Sequence, residues 1–558
     1  MTFSATLSAV LAALGLQAAG AQEAGPSDDI AVEALGTIHP LEVDAGGRLP
    51  ETVWSSGEAA ALGAVFDALP PPAQGWEQPA AARLALRALL SGGPPPDGLE
   101  DRFALADLRA RRALAAGRPQ PVLRLLERTP DINQSEPMSR IYAELAFAMG
   151  RTEAACRAAD ALLEGRDAPY WLRARAVCLA VEGGIPAAEL TAELARAQAA
   201  DPGFDAVFDA YTLDRPLDEG FAPATGLQLA LAALAAPERR LEIAADAPAW
   251  LARAAARTGP AISLPETLPE ALEAAVALDG DARRAALGAI LQQDLDRVIA
   301  AEALAIRLAD AAEAGEFVEA ASAYGAEVAR LPITADTLAH GRLFVLAALA
   351  ADDVVAAETW REALLDGPPE PAPEPAPEPA SQPAPETPGE PGRSDGPARL
   401  NAPASFDGSN AEPLGPEWTP PPPEVMVELD FARAVAAGRI EDDAFAALLA
   451  ARIEGATPAR LCQAVMLSAL GASEGGALRA AMTGLTRESD APAPNLAPGL
   501  LAAAAGALGE SALHAALALE TAPGDVEACA GSAVILKEAG LEGVALRLVL
   551  ELILEEAA

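Results

Sequence analysis

Lysine, histidine and cysteine are scarce in this chain of 558 residues. It has one lysine, Lys537, three histidines and four cysteines, and its 81 acidic against 39 basic residues give a formal net charge of −42. Nucleic acids and anionic lipid surfaces are bound by positively charged surfaces, so the charge argues against both kinds of partner. The charge fits a soluble protein whose molecules repel one another, or a protein that binds a basic partner.

Aromatic residues are also few, at 4% of the chain, although hydrophobic residues make up 51%. Most of the apolar content is therefore alanine and leucine, which favour helix over sheet. The chain is too long for one compact core. We therefore expect an all-α protein with two or more domains or one extended array.

Hydrophobic runs long enough to cross a bilayer are missing, since Arg547 and Glu551 interrupt the C-terminal apolar stretch. No integral membrane segment is expected in the mature chain. Residues 6–16 form a short apolar run, and Ala-Gly-Ala at 19–21 is a small-x-small cleavage pattern. This pattern predicts a signal peptide over residues 1–21, with an amphipathic first helix or a different start codon as alternatives. Export predicts a periplasmic protein, or alternatively a secreted or cell-surface one.

A proline- and glutamate-rich tract divides the rest of the chain. Residues 367–424 include PPEPAPEPAPEPASQPAPETPGEP, in which proline blocks helix and glutamate repels glutamate. We expect a disordered linker there, with a helical repeat array at 51–366 before it and a C-terminal helical repeat domain at 425–558 after it. Residues 22–50 are expected to be an extended lead-in or a short hairpin.

The array shows a recurring turn. Ser55 and Glu58 have the spacing of a capping box at its first helix. Further on, turn glycines recur 33 and 34 residues apart, each followed four or five residues later by an apolar position. The pairs are Gly117 and Val122, Gly150 and Ala155, and Gly184 and Ala188.

This period, with a glycine turn and a small residue after it, resembles the tetratricopeptide repeat. The resemblance implies an α-solenoid of antiparallel helix hairpins, with a smaller C-terminal helical domain after the linker, and a groove that binds peptides or proteins. The chain also resembles alanine-rich exported bacterial proteins sometimes labelled antifreeze-glycopeptide-related. It lacks the Ala-Ala-Thr tandem repeats of antifreeze glycopeptides, so we do not expect that activity.

The four cysteines are disulfide candidates, because an even number in an exported chain suggests pairing. Cys156 and Cys178 lie ten and twelve residues from the turn near Arg166, so antiparallel helices would place them at similar heights. Two reduced core residues are the alternative. Cys462 and Cys529 form the second candidate pair. Helices a full repeat apart do not touch in a regular array, so this pair requires a compact bundle.

Catalytic, metal and cofactor signatures do not emerge. His39, His340 and His514 are isolated in the sequence, and no CxxC motif accompanies them. Glu510-Ser511 resembles the catalytic Glu-Ser of lytic transglycosylases, but the motifs that surround it in that family are missing, and a helix start explains both residues. We expect no enzyme activity, metal or cofactor.

Taken together, these features predict a non-enzymatic periplasmic scaffold or adaptor that binds protein or peptide partners through a helical-repeat surface. A cell-wall or polysaccharide-acting enzyme accessory is one alternative. A secreted surface or adhesion component is the other.

Overall fold

The computed structural model describes residues 38–258, 263–293, 297–368, 418–473, 476–483 and 494–558. These residues form 26 α-helices, two 3-10 helices and no β-strand, which confirms the all-α class. The predicted signal peptide at 1–21, most of the lead-in at 22–50 and most of the tract at 367–424 lie outside the described residues. The solenoid arrangement stays a prediction.

The α-helices are α1 (Ala59–Ala68), α2 (Pro79–Leu90), α3 (Ala104–Ala115), α4 (Pro119–Arg128), α5 (Glu136–Ala148), α6 (Thr152–Ala161), α7 (Pro169–Val181), α8 (Ile185–Gln198), α9 (Pro202–Thr212), α10 (Gly226–Ala235), α11 (Ala249–Thr258), α12 (Leu268–Val276), α13 (Gly280–Leu291), α14 (Arg297–Glu313), α15 (Phe317–Val328), α16 (Ala335–Leu338), α17 (Gly341–Ala350), α18 (Val354–Asp366), α19 (Pro423–Ala436), α20 (Asp443–Ile453), α21 (Pro458–Leu470), α22 (Ala477–Thr483), α23 (Ala497–Ala504), α24 (Leu508–Thr521), α25 (Val526–Glu538) and α26 (Glu542–Ala557). The 3-10 helices span Pro40–Glu42 and Ile132–Gln134.

Helices α5 to α8 pack in sequence order, each against the next. Gly117 and Gly150 have φ values of +71° and +70° and end α3 and α5, as the turn pattern predicts. At the third turn the left-handed residue is Gly183, with φ +84°, and Gly184 is the N-cap of α8 with φ −80°. The residue that follows the C-cap of a helix commonly has the left-handed conformation, which glycine adopts without strain.

The predicted capping box at the first helix is wrong. Helix α1 begins at Ala59 with Glu58 as its N-cap, and no side chain caps it. The Ser55 hydroxyl instead donates to the Thr52 carbonyl at 3.1 Å. A serine hydroxyl can donate to a nearby carbonyl or accept from a helix N–H. Sequence spacing alone does not show which of these bonds forms.

Helices from distant parts of the chain pack on one another. Helix α24 lies against α1 and α2, and α26 lies against α2, α15, α17 and α19. Gly509 of α24 sits so close to Trp54 that a Cβ there would lie 2.3 Å from the indole, while its amide donates to the Val53 carbonyl at 2.9 Å. The described residues from His39 to Ala558 form one compact unit.

The described residues on either side of 369–417 are in contact. The Trp418 indole lies against Gly367, 3.2 Å from where a Cβ of that glycine would be. Its Nε1 donates to the Leu364 carbonyl at 3.2 Å. The chain therefore leaves the end of α18 and returns to it before α19 begins.

Candidate functional site: an arginine groove

Two open cavities lie side by side along α2. The larger, of about 390 Å³, is bounded by α2, α4, α15, α26 and the loop at residues 45–48. The smaller, of about 200 Å³, lies towards the start of α2. Both cavities have Arg83, Leu86, Arg118 and Glu319 in their walls. We call the combined feature the arginine groove.

The groove collects positive charge in a strongly acidic chain. Its walls hold seven arginines against four carboxylates, while the whole chain has a net charge of −42. These residues are Arg48, Arg83, Arg87, Arg118, Arg124, Arg253 and Arg547, and Glu316, Glu319, Asp352 and Glu551.

Local sequence spacing sets the arginines in place. On α2, Arg83 and Arg87 are four residues apart and so lie on one helix face. On α26, Arg547 and Glu551 have the same spacing, and Arg547 Nε lies 3.1 Å from Glu551 Oε1. Gly47 lets the loop touch the end of α2, since a Cβ there would lie 2.2 Å from the Arg87 carbonyl oxygen.

Glu551 is the centre of the ion pairs in the groove wall. Its side chain is 1% exposed, and its carboxylate accepts from Arg83 Nε at 3.1 Å and also from Arg87 and Arg547. Burial alone would raise the pKa of this carboxyl, but Arg87, Arg83 and Arg547 outweigh burial and hold the pKa below its ordinary value. Glu551 is therefore a buried carboxylate in its charged form at neutral pH.

Arg83 connects three helices beneath the groove. It is 6% exposed and pairs with Glu551, with Glu555 at 2.9 Å and with Glu319 at 3.4 Å. Burial would lower its pKa, but these three carboxylates raise it above the ordinary value. Burial raises the pKa of the Glu555 carboxyl, and Arg83 opposes that rise. These contacts join α2 and α26 to α15, because Glu555 also accepts from the Phe317 amide at 3.3 Å.

Asp352 closes one side of the larger cavity. Its carboxylate pairs with Arg48 at 2.9 Å and with Arg547. Arg547 also donates to the carbonyls of Leu349 and Ala350, the last residues of α17. A cation at this helix end is favourable because the exposed carbonyls carry partial negative charge.

Several donors in the groove are left without acceptors among the described residues. Arg87 Nη1 and Trp76 Nε1 are buried and make no hydrogen bond. The nearest carboxylate oxygen to Arg118 is that of Glu319, at 3.6 Å. Burial lowers the pKa of Arg118, Glu319 opposes this, and Arg253 and Arg83 lower it further. Arg124 is exposed at the rim.

The cysteines form two disulfides, and their pairs are those named from the sequence. Cys156 of α6 is bonded to Cys178 of α7, with a Cα–Cα distance of 5.7 Å. Cys462 of α21 is bonded to Cys529 of α25, with a Cα–Cα distance of 5.4 Å. The second pair forms because α21 packs directly against α25 and α26, so these helices are not separated by an intervening repeat.

The remaining sequence candidates contact residues near them in the chain. His39 Nδ1 accepts from the Leu41 amide at 3.1 Å, and His340 is the N-cap of α17. His514 Nε2 lies 3.8 Å from a Glu510 carboxylate oxygen. The buried Ser511 hydroxyl donates to the Ala507 carbonyl at 2.8 Å, within the first turn of α24. Glu510-Ser511 is thus a helix start in this structure.

Among the described residues, no three histidine, cysteine or acidic side chains come together in a way that could hold a metal ion. None of the described helices has both the length and the hydropathy to cross a bilayer. Comparisons with family models, curated proteins and solved structures found no match to this chain.

Proposed function

We propose that this chain is a non-enzymatic scaffold or adaptor of the periplasm, and that it holds a protein or peptide partner in the arginine groove. The observation that carries the proposal is an open groove with seven arginines and four carboxylates in its walls, in a chain with a net charge of −42. Arg124 is exposed at its rim, where a partner that supplies acceptors can reach the guanidinium.

The walls of the groove suit binding because they are held in place before a partner arrives. Arg83 and Arg87 are fixed on α2 by Glu551, and Arg547 is fixed by Asp352 and by the end of α17. Side chains already ordered lose less entropy on binding than free ones do. The groove also contains residues from helices far apart in the chain, α2 and α26. The site therefore forms only when the whole unit is folded.

The repeat pattern and the disulfides support the remainder of the proposal. Consecutive packing of α5 to α8 matches the helix hairpins of repeat proteins, which bind partners along exposed grooves. Two disulfides are typical of oxidising compartments such as the bacterial periplasm. Both observations agree with the exported scaffold expected from the sequence.

Crosslinking in living cells tests the proposal. A photo-crosslinking amino acid replaces Ser322, an exposed residue of the groove wall, and in a matched strain it replaces Glu189, an exposed residue of α8. We expect a reproducible adduct from position 322 in the periplasmic fraction and none from position 189. Adducts of equal yield at both positions, or a protein found only in the cytoplasm, would contradict the proposal.

A further inference from the structure

We infer that the partner segment received by the arginine groove is an acidic, extended peptide whose Asp or Glu side chains pair with Arg118 and Arg124. This inference rests on the proposed function and names the chemistry of the partner. It concerns a local surface whose charge is opposite to that of the chain as a whole.

The first argument is the kind of atom that the groove exposes. The arginine guanidinium is a donor only, so a ligand that pairs with the exposed Arg124 and the partly exposed Arg118 has to bring acceptors. Carboxylates match the fork of an arginine and form short, charge-assisted hydrogen bonds with it.

The second argument is charge. Seven arginines face four carboxylates in the walls, and with Glu555, which pairs with Arg83, the excess is two positive charges. Glu551 is occupied by three of these arginines, whereas Arg124 extends from α4 at the rim and is exposed. A long nucleic acid or polyphosphate would meet the net charge of −42 on the rest of the surface, while a short acidic segment contacts only the groove.

The third argument is length. The two cavities overlap along α2, and together they run from Pro79 in the wall of the smaller to Leu90 in the wall of the larger. Helix α2 has 12 residues, so the groove is about 18 Å long at ~1.5 Å per residue. An extended peptide advances about 3.3 Å per residue, so five or six residues fill the groove.

Fluorescence anisotropy with the full chain tests the inference. The probe is a labelled peptide that alternates glutamate and alanine over eight residues, and the matched probe has glutamine in place of each glutamate. We expect the acidic peptide to bind and the glutamine peptide to bind at least about tenfold more weakly. Affinity for the acidic peptide should fall as salt rises from about 50 to 500 mM, because the rim arginines are screened.

Two variants locate the binding. Arg124→Ser and Arg118→Ser should each weaken acidic-peptide binding severalfold, while Arg439→Ser, the same charge change at an exposed residue at the end of α19, should leave it unchanged. Circular dichroism and the melting temperature check that each variant folds. Arg124 is exposed, so its loss should not alter the fold.

The inference would be overturned by no binding of the acidic peptide, by equal binding of the glutamine peptide, or by binding that neither groove variant changes. Competition by inorganic phosphate at concentrations equal to those of the peptide would also overturn it, since the site would then be one for small anions. A partner crosslinked at position 322 without acidic-peptide binding would leave the proposed function standing and remove only the inference. Acidic-peptide binding without a crosslinked partner would support the ligand chemistry of the groove and remove the proposed function.

Discussion

At the scale of single residues, Arg109 joins the irregular N-terminal segment to the helices. Its side chain is fully buried. Nη1 donates to the Leu41 carbonyl at 3.1 Å, Nη2 donates to the Val43 carbonyl at 2.8 Å, and Nε donates to the Leu89 carbonyl. Burial lowers its pKa to about 9, with Asp44 opposing, so the guanidinium remains charged at neutral pH.

Replacing Arg109 should therefore destabilise the protein strongly. Arg109→Met leaves three buried carbonyls without their donor, and we expect a loss of about 2 to 4 kcal/mol in the free energy of unfolding. Arg111→Met on the same helix removes only a half-exposed pair with Asp107 and should cost less than about 0.5 kcal/mol. Urea denaturation of both variants checks this, and similar losses in the two would show that Arg109 does not hold the segment.

Glu551 gives a prediction that depends on pH. Its folded pKa lies below the ordinary value of 4.5, so the unfolded chain binds its proton more readily than the folded one does. The carboxylate thus contributes stability above pH 4.5, and that contribution is lost as the pH falls through the folded pKa. Glu551→Gln should cost about 3 to 5 kcal/mol at pH 7 because it breaks a buried ion pair.

The cost of Glu551→Gln should shrink as the pH is lowered below 4.5, because the wild-type residue then becomes neutral too. Denaturation at several pH values measures this difference. The control is Glu542→Gln, at an exposed position in the first turn of α26, for which we expect less than about 0.5 kcal/mol at pH 7. A cost for Glu551→Gln that does not vary with pH would mean that packing, and not charge, explains it.

At the scale of helices, the two disulfides differ in how accessible they are. Cys156 and Cys178 are half-buried, whereas Cys462 and Cys529 are 5% and 1% exposed. A reductant has to reach the sulfur atoms, so the α6–α7 bridge should be reduced first in the native protein. Timed reduction, alkylation and mass spectrometry give the order. Reduction of the α21–α25 bridge first, or of both at one rate, would contradict the packing of α21 on α25.

The helices and several turns could be predicted from the sequence because both depend on neighbours in the chain. Gly117 and Gly150 end helices as expected, since the left-handed residue after a helix is a local requirement. The choice between Gly183 and Gly184 depends on where α7 ends, which its packing decides. The Cys462–Cys529 bridge depends on which distant helices touch, and repeat spacing alone does not show this.

The arginine groove could be predicted only in part. The spacing of Arg83 with Arg87, and of Arg547 with Glu551, indicates two charged helix faces. These two faces meet because α26 packs on α2. Arg87 and Glu551, which pair across this contact, are 464 positions apart in the sequence. In a chain with net charge −42, composition gave no sign of a positive groove.

At the scale of the whole molecule, the packing of α24 and α26 on α1 and α2 predicts that the parts before and after the proline-rich tract stay together. A protease site inserted after Ser394 allows the chain to be cut there. We expect the two fragments to elute together in size-exclusion chromatography and to separate in concentrated urea. Separation in native buffer would instead indicate two independent domains joined by a linker.

The position of Glu551 also bears on the timing of folding. Synthesis runs from the N-terminus, so Arg87 is made 464 residues before the carboxylate that pairs with it, which is roughly 25 to 90 seconds at bacterial rates. During that interval Arg87 lacks the carboxylate of Glu551, and protease digestion of chains stopped before Glu542 should still cut within α2. A helix near the start of the described chain is thus completed by the last helix described.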